Sequence, residues 1–395
     1  MKLFLYFLLL SKLLNSQDII GTYEKDSISI VYTNAIKSIN PEVKILGLGE
    51  QWHGDGSTFA IKSDLIKLLS KRKNAVLFSE SSAFGCQKAS ELGLFNDTLN
   101  MGISDIWSKT KDFEPLMKSL QNKEIEFAGI DVQIYDSYAN YYLCDYIKSI
   151  LLNKNILTDN ELKNLLATTD SIIKLRYKYK FNTTKLIEWN STFNIIGINE
   201  KLFSPKEYYI LFNLKNFGLL VNIYDNNSRN FTIGNRYRDS LMALNCTYLI
   251  TYIYPDRFVV ISAASFHLIK NHSLDYPSSD KNIKTLGDFL AEKYDEKYSV
   301  MIFTSSLGTH ALYNITRLEK VPKPKKKSIE KTLYDAKYEF AFIDLIKLNK
   351  TFSNKYFMPY GYEYLKINNP ITHFNSIFYV RKMHRAHSRI GAEKN

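Results

Sequence analysis

The chain has 395 residues, 45% hydrophobic and 23% charged, which is material for a folded core and excludes a disordered or fibrous polypeptide. Its net charge of +12 is carried by lysines spread along a chain rich in Asn, Ile and Tyr, so no nucleic-acid partner is expected. Cys86, Cys144 and Cys246 are too few and too scattered for a disulfide framework or a cysteine zinc site; one disulfide is allowed and none is needed.

The first residues, MKLFLYFLLLSKLLNSQ, place one Lys before an apolar run from Leu3 to Leu10 and follow it with small and polar residues. This reads as a signal peptide over 1–17, cleaved near Ser16. The run is well short of the roughly 20 residues that span a bilayer, so no stable membrane span is expected after cleavage. No Cys lies near the cleavage site to carry a lipid. Residues 18–395 then form one exported domain, periplasmic or extracellular and expected to be monomeric.

Next come short apolar runs that end in polar or ionisable residues: Glu42–Glu50, Asn74–Glu80, Ile125–Asp131, Arg257–His267 and Tyr298–Ser306, then YEFAFIDL and SIFYVRKM near the C-terminus. Between the first two, TFAIKSDLIKLLSKRKN puts Ile61, Leu65, Leu68 and Leu69 on one helical face. Apolar strands alternating with amphipathic helices predict an α/β fold with a largely parallel central sheet flanked by helices. From about 141 to 237 the spacing is helical with no convincing strand, which predicts a helical insertion. KVPKPKKK, from Lys320 to Lys327, carries two prolines and reads as a solvated basic loop.

In open α/β sheets ligands bind beyond the carboxyl ends of the strands. Four runs deliver Glu50 with His53, Glu80, Asp131 and His267 to such ends. In GLGEQWHGDG the glycines Gly49 and Gly54 allow a tight turn, and His53 arrives just before a helix. A His held by a carboxylate is a suitable base for activating water. ASFHLIK lacks the Gly-x-Ser-x-Gly elbow, so Ser265 is a poor nucleophile. His272, His310, His373, His384 and His387 show no defensible pairing. No phosphate-cradling loop or dinucleotide fingerprint appears, and no cofactor is expected.

GLGEQWHG, FSE, DIWSKTKDFEPLMKSL, FAGIDVQ, RYRDSLMALN, FVVISAASFHL and LGDFLAEKYDEKYSVMIFTSSLG, in that order between Lys44 and Gly308, together resemble the erythromycin esterase family. The resemblance implies an α/β core with a helical insertion, and hydrolysis of an ester or lactone, as in macrolide opening, by His-activated water and not by a Ser nucleophile. By position, Glu50 and His53 match the family's acidic residue and base, and Glu80 its second-strand carboxylate. Asp131 matches the Asp of Gly-x-Asp, Arg238 and Asp239 its Arg-Asp pair, and His267 the later His of Trp-Ala-His-Asn-Ala-His. Three departures stand out: Ala264 replaces the earlier His of that element, Lys62 replaces an Arg, and Gln51 and Trp52 replace small residues. On this reading His53 is the base, Glu50 orients it, and Lys62 and His267 polarise the carbonyl. Glu80, Asp131, Arg238, Asp239 and Trp52 position groups or bind substrate, and the aromatic-rich insertion supplies an apolar wall. Two rivals use the same residues: a metal-dependent hydrolase, and a catalytically silent binding protein that retains the fold.

Overall fold

The computed structural model describes residues 19–22, 27–92, 102–225, 231–272, 284–311, 318–348 and 355–388. The expected signal peptide, with its whole apolar run, therefore lies outside the described residues. Among those described, the strands in chain order are β1 (Ile19–Thr22), β2 (Ile45–Glu50), β3 (Ala75–Ser82), β4 (Phe127–Asp131), β5 (Phe258–Ala264) and β6 (Tyr298–Ala311). They continue with β7 (Leu318–Lys320), β8 (Phe340–Asp344), β9 (Lys355–Phe357), β10 (Leu365–Ile367) and β11 (Ser376–Met383). No helix among them is long and apolar enough to cross a membrane.

The chain divides into two compact units. The first comprises Met1–Ala75, Lys109–Leu116 and Phe258–Asn395; the second comprises Val76–Ser108 and Met117–Arg257. In the first, strands lie side by side in the order β1-β8-β11-β6-β2-β5. The pairs β11/β6, β6/β2 and β2/β5 are parallel, whereas β8 runs antiparallel to β11 and β1 antiparallel to β8. Every residue of β2 is buried, as are all but the last of β5, so both strands read as apolar runs without alternation. The α/β architecture with largely parallel strands follows from this burial.

The helix Gly56–Lys73 covers this layer, burying Phe59, Ile61, Leu65, Ile66 and Leu69. Leu68, expected on the buried face, is only half-buried, and Ile66 takes that place. Lys71, Arg72 and Lys73 sit in the last turn, where the helix dipole favours cations, and Asn74 in the left-handed region (φ 50°) ends the helix. The run expected to be strand through His267 stops at Ala264; Ser265–Leu268 is one helical turn.

In the second unit β3 and β4 are parallel. After β4 the described backbone is helical from Ala139 to Ile253: Cys144–Leu152, Asp159–Leu175, Thr183–Ile198, Pro205–Asp225 and Phe231–Tyr248 are the long elements. Local chemistry sets their starts. Thr158 and Glu161 cap each other's backbone N–H at 3.3 and 2.8 Å, and Asn182 accepts from the Lys185 N–H at 2.9 Å. Gly218 lets one helix approach the Trp189 indole, since a Cβ there would lie 2.6 Å from the ring. Cys86, Cys144 and Cys246 are all free.

Candidate functional site

The expected site residues fall into two groups, one in each unit. In the first, β2 delivers Glu50 to its carboxyl end with the carboxylate fully buried. His53, three residues on, donates its Nδ1–H to Glu50 Oε1 at 3.1 Å. Lys62, two turns into the following helix, donates to the other oxygen, Oε2, from a side chain that is also fully buried. Burial by itself pushes the Glu50 carboxyl up, but the Lys62 charge and the His53 hydrogen bond outweigh it and hold the group below its ordinary range. Because Glu50 accepts the Nδ1–H hydrogen bond, Nε2 of His53 carries the lone pair. The side chain of His53 is 18% exposed, while Glu50 and Lys62 behind it are sealed.

The turn itself differs from expectation. Neither Gly49 nor Gly54 has positive φ. Both are needed for close approach: a Cβ on Gly49 would lie 2.8 Å from Ser265 Cα, and one on Gly54 would lie 2.0 Å from the Ala311 carbonyl oxygen. Ser265 is fully buried and its hydroxyl donates to the Gly49 carbonyl at 2.7 Å, so it braces the loop.

A second carboxyl belongs to this loop. Asp55 is fully buried, accepting from the Tyr362 hydroxyl at 2.8 Å and the Trp52 N–H at 3.0 Å. Burial pushes its pKa up to about 8 against those two hydrogen bonds, and the nearby Glu50 charge adds to the rise. Two carboxyls five residues apart are thus driven in opposite directions, a pattern associated with divided acid–base roles. Residues 358–364 lie over the loop. Gln51 donates to the Met358 carbonyl at 2.6 Å, the Gly361 N–H donates to the Gln51 carbonyl at 2.9 Å, and Trp52 packs against Val321, Met358, Tyr362 and Met383. The only sequence signal for this cover is the aromatic density of MPYGYEY.

At the end of β5, Ala264 is the register partner of Glu50 across the parallel pair. His267 follows on the short helix, buried, its ring edge-on to Phe266 at 5.4 Å. The expectation that Lys62 polarises a substrate carbonyl does not fit its surroundings. Its Nζ lies on Glu50 and 3.5 Å from the Ala263 carbonyl with no exposed surface, so its work is to hold Glu50.

The second unit gathers Glu80, Asp131 and Arg238. Arg238 grips Asp131 through Nε at 3.0 Å and Nη2 at 2.7 Å, and Nη2 also reaches Glu80 at 2.7 Å. Burial works against the guanidinium's charge, but Asp131 and Glu80 overcome it and bind the proton more tightly still. The Arg-Asp-x-x-Met-x-x-Asn spacing has a helical reason. Arg238, Met242 and Asn245 follow an i, i+4, i+7 stripe; Arg238 meets Asp131 at the end of β4 and Asn245 donates to the Ile130 carbonyl at 2.8 Å. Asn245 and Asn213 also exchange amide hydrogen bonds at 2.6 and 3.2 Å. Asp239, beside Arg238, is buried and adds to the negative field on it.

Comparison with known proteins places these residues in context. A family model described as erythromycin esterase matches residues 212–371. A putative hydrolase, YbfO, from Bacillus subtilis (strain 168) is 22% identical over 344 residues, covering 79% of this chain and 76% of that protein. A succinoglycan biosynthesis protein of known crystal structure superposes with a TM-score of 0.76 at 16% identity, covering 96% of this chain and 97% of that one. A histidine mutant of the erythromycin esterase EreC, in its open conformation, gives 0.65 at 15% identity over 94% and 96% of the two chains. At these identities the structural likenesses establish the fold alone.

Proposed function

We propose that the chain is a member of the erythromycin esterase family, as the family model over residues 212–371 and the likeness to YbfO support, and that it is an exported hydrolase that opens an ester or lactone, macrolides among the candidates, with water activated by His53. The observation that carries this reading is the sealed Lys62–Glu50 pair ending on a partly exposed imidazole. Glu50 fixes the tautomer and stabilises the imidazolium that forms, while Lys62 keeps Glu50 ionised in a site where burial opposes it.

In the first step the Nε2 lone pair of His53 takes a proton from water as the water oxygen attacks the carbonyl carbon, and the carbonyl π pair moves onto its oxygen. Collapse of the tetrahedral intermediate breaks the acyl C–O bond. The departing alkoxide takes the proton from Nε2, leaving acid, alcohol and neutral His53. His267 is the proposed oxyanion donor, a role worth roughly 3 kcal/mol per donor. Lys62 becomes a positioning residue. Trp52 braces the loop through its apolar packing, and Arg238 with Asp131, Glu80 and Asp239 is a positioning cluster. The reaction as written uses no cofactor.

The experiment is a panel of simple esters, lactones and macrolides assayed with wild type and His53→Ala. At least a 100-fold loss of kcat/KM on the best substrate is expected, within the range of about 10²–10⁴ for losing a general base. Turnover retained by His53→Ala would overturn the assignment. N-terminal sequencing of protein recovered outside the cytoplasm, with a start near residue 18, tests export.

A further inference from the structure

Three side chains for which the sequence suggested no partnership converge in the first unit. His384 and His387 follow β11, and Asp112 comes from the segment Lys109–Leu116. His384 Nε2 lies 2.8 Å from Asp112 Oδ1, and His387 Nδ1 lies 3.5 Å from Asp112 Oδ2. One ligand atom from each residue falls within 4.8 Å of the other two. The imidazole rings stack at 5.4 Å and 29°. We propose that Asp112, His384 and His387 form a binding site for a divalent transition metal, zinc or a close relative, separate in its residues from the Glu50–His53 pair.

The backbone holds these groups in place independently of any ion. The His387 N–H donates to Asp112 Oδ2 at 2.9 Å, the Lys111 N–H donates to the His387 carbonyl at 2.8 Å, and bridges join Thr110 to Ser388 and Asp55 to Arg385. The terminal segment therefore crosses both the 110–112 segment and the start of the helix Gly56–Lys73, placing both imidazoles against one carboxylate. Metal bonds of about 2.0–2.2 Å around a tetrahedral zinc need ligand atoms roughly 3.3 Å apart, so small side-chain rotations close the site. Two imidazoles and a carboxylate form a three-ligand set of borderline softness, suited to zinc, cobalt or nickel, with water completing the sphere. Exposure fits this: the side chains of His384 and His387 are 47% and 39% exposed, and Asp112 is 10% exposed.

The orienting partner of His384 is also present. Ser57 Oγ accepts the His384 backbone N–H at 2.9 Å and lies 2.7 Å from His384 Nδ1. With Nε2 on the metal, Nδ1 carries the proton and donates it to Ser57 Oγ, the outer-shell hydrogen bond that sets tautomer and ring angle in metal-bound histidines. As the ion enters, the ring takes the Nδ1–H tautomer, leaving the Nε2 lone pair for the metal. In this position the ion ties the C-terminal segment to residues 110–112.

The full chain, freed of metal by chelation and dialysis, is titrated with Zn²⁺ alone by calorimetry and with Co²⁺ alone by visible absorption. One equivalent is expected to bind at micromolar affinity or tighter, with tetrahedral ligand-field bands for Co²⁺ and a thermal midpoint raised by about 5 °C at 100-fold excess over Kd. His387→Ala and Asp112→Asn should each weaken binding at least 10-fold; His53→Ala should bind as wild type does. Because Asp112→Asn removes a partner of two backbone-anchored groups, its metal-free circular dichroism is compared with wild type. His387→Ala, whose ring is surface-exposed, carries the test if that variant misfolds. Absence of saturable binding below 100 μM, or full affinity in a His384→Ala/His387→Ala double variant, overturns the proposal.

Discussion

Lys62→Met isolates what a wholly buried cation does for this loop. Methionine keeps most of the aliphatic stem and removes the ammonium that Glu50 Oε2 accepts from. Glu50, also fully buried, is left with His53 as its partner. Breaking a buried pair by deleting one member costs about 3–5 kcal/mol, unless the stranded charge is neutralised. Glu50 has that escape, since it can take a proton. Against an ordinary value of 4.5, holding it protonated at pH 7 costs 2.5 units, or about 3.4 kcal/mol, and at pH 5 about 0.7 kcal/mol. The sign therefore reverses. In wild type the depressed Glu50 pKa contributes stability present above about pH 4.5 and lost as pH falls through the folded value. In Lys62→Met the raised pKa costs stability increasingly as pH rises above about 4.5. Urea denaturation at pH 5 and pH 7 should show the variant losing about 3 kcal/mol relative to wild type at pH 7 and about 1 kcal/mol at pH 5. Ester turnover should fall 10- to 100-fold at pH 7, because a protonated Glu50 no longer stabilises the imidazolium. A loss below 1 kcal/mol at pH 7, or the same loss at both pH values, would refute the argument.

Glu330 is fully buried, with Oε1 accepting from Thr304 at 2.8 Å and from the Met358 N–H at 3.0 Å, and burial pushes its pKa up to about 7. Its cost to stability grows as pH rises from about 4.5 to 7. Glu330→Gln should therefore gain about 3 kcal/mol on wild type over that interval in pH-dependent denaturation. Arg238→Ala strands Glu80 and Asp131 together and should destabilise by about 3–5 kcal/mol; Arg238→Lys, which keeps charge without the fork, should fall between it and wild type by the same measurement. Ala264→His should leave native-substrate turnover unchanged or reduced, because the adjacent Glu50 oxygens are already engaged by His53 and Lys62. A gain of 10-fold or more in ester hydrolysis by Ala264→His would refute this. Chelation should lower the thermal midpoint while ester turnover stays within about twofold, since charge in the proposed reaction is managed by protein groups.

Features under short-range control can be read along the chain. Continuous burial makes β2, β3 and all but the last residue of β5 readable as apolar runs, and SIFYVRKM, buried over its first five residues, is β11 from end to end. Strand β1, with its four residues, and β7, β9 and β10, with three each, are too short to carry a pattern; β1 exists by pairing with β8, more than 300 residues away, while β7 pairs with the end of β6 and β9 with β10 across short local connections. The Glu50–His53 contact spans three residues and was legible for that reason. Lys62 was legible as a site residue but not in its role, because burial against Glu50, not its position in the motif, decides what the ammonium touches. Glu80, Asp131 and Arg238 were each singled out, yet their union spans 107 to 158 residues and depends on helix and strand packing. Asp55 with Tyr362, and Asp112 with His384, lie 307 and 272 residues apart, and no local spacing marks them. Periodicity reports which face of an element is buried; which side chains share a charge or a proton is set by where the folded chain returns, and that only the tertiary structure decides.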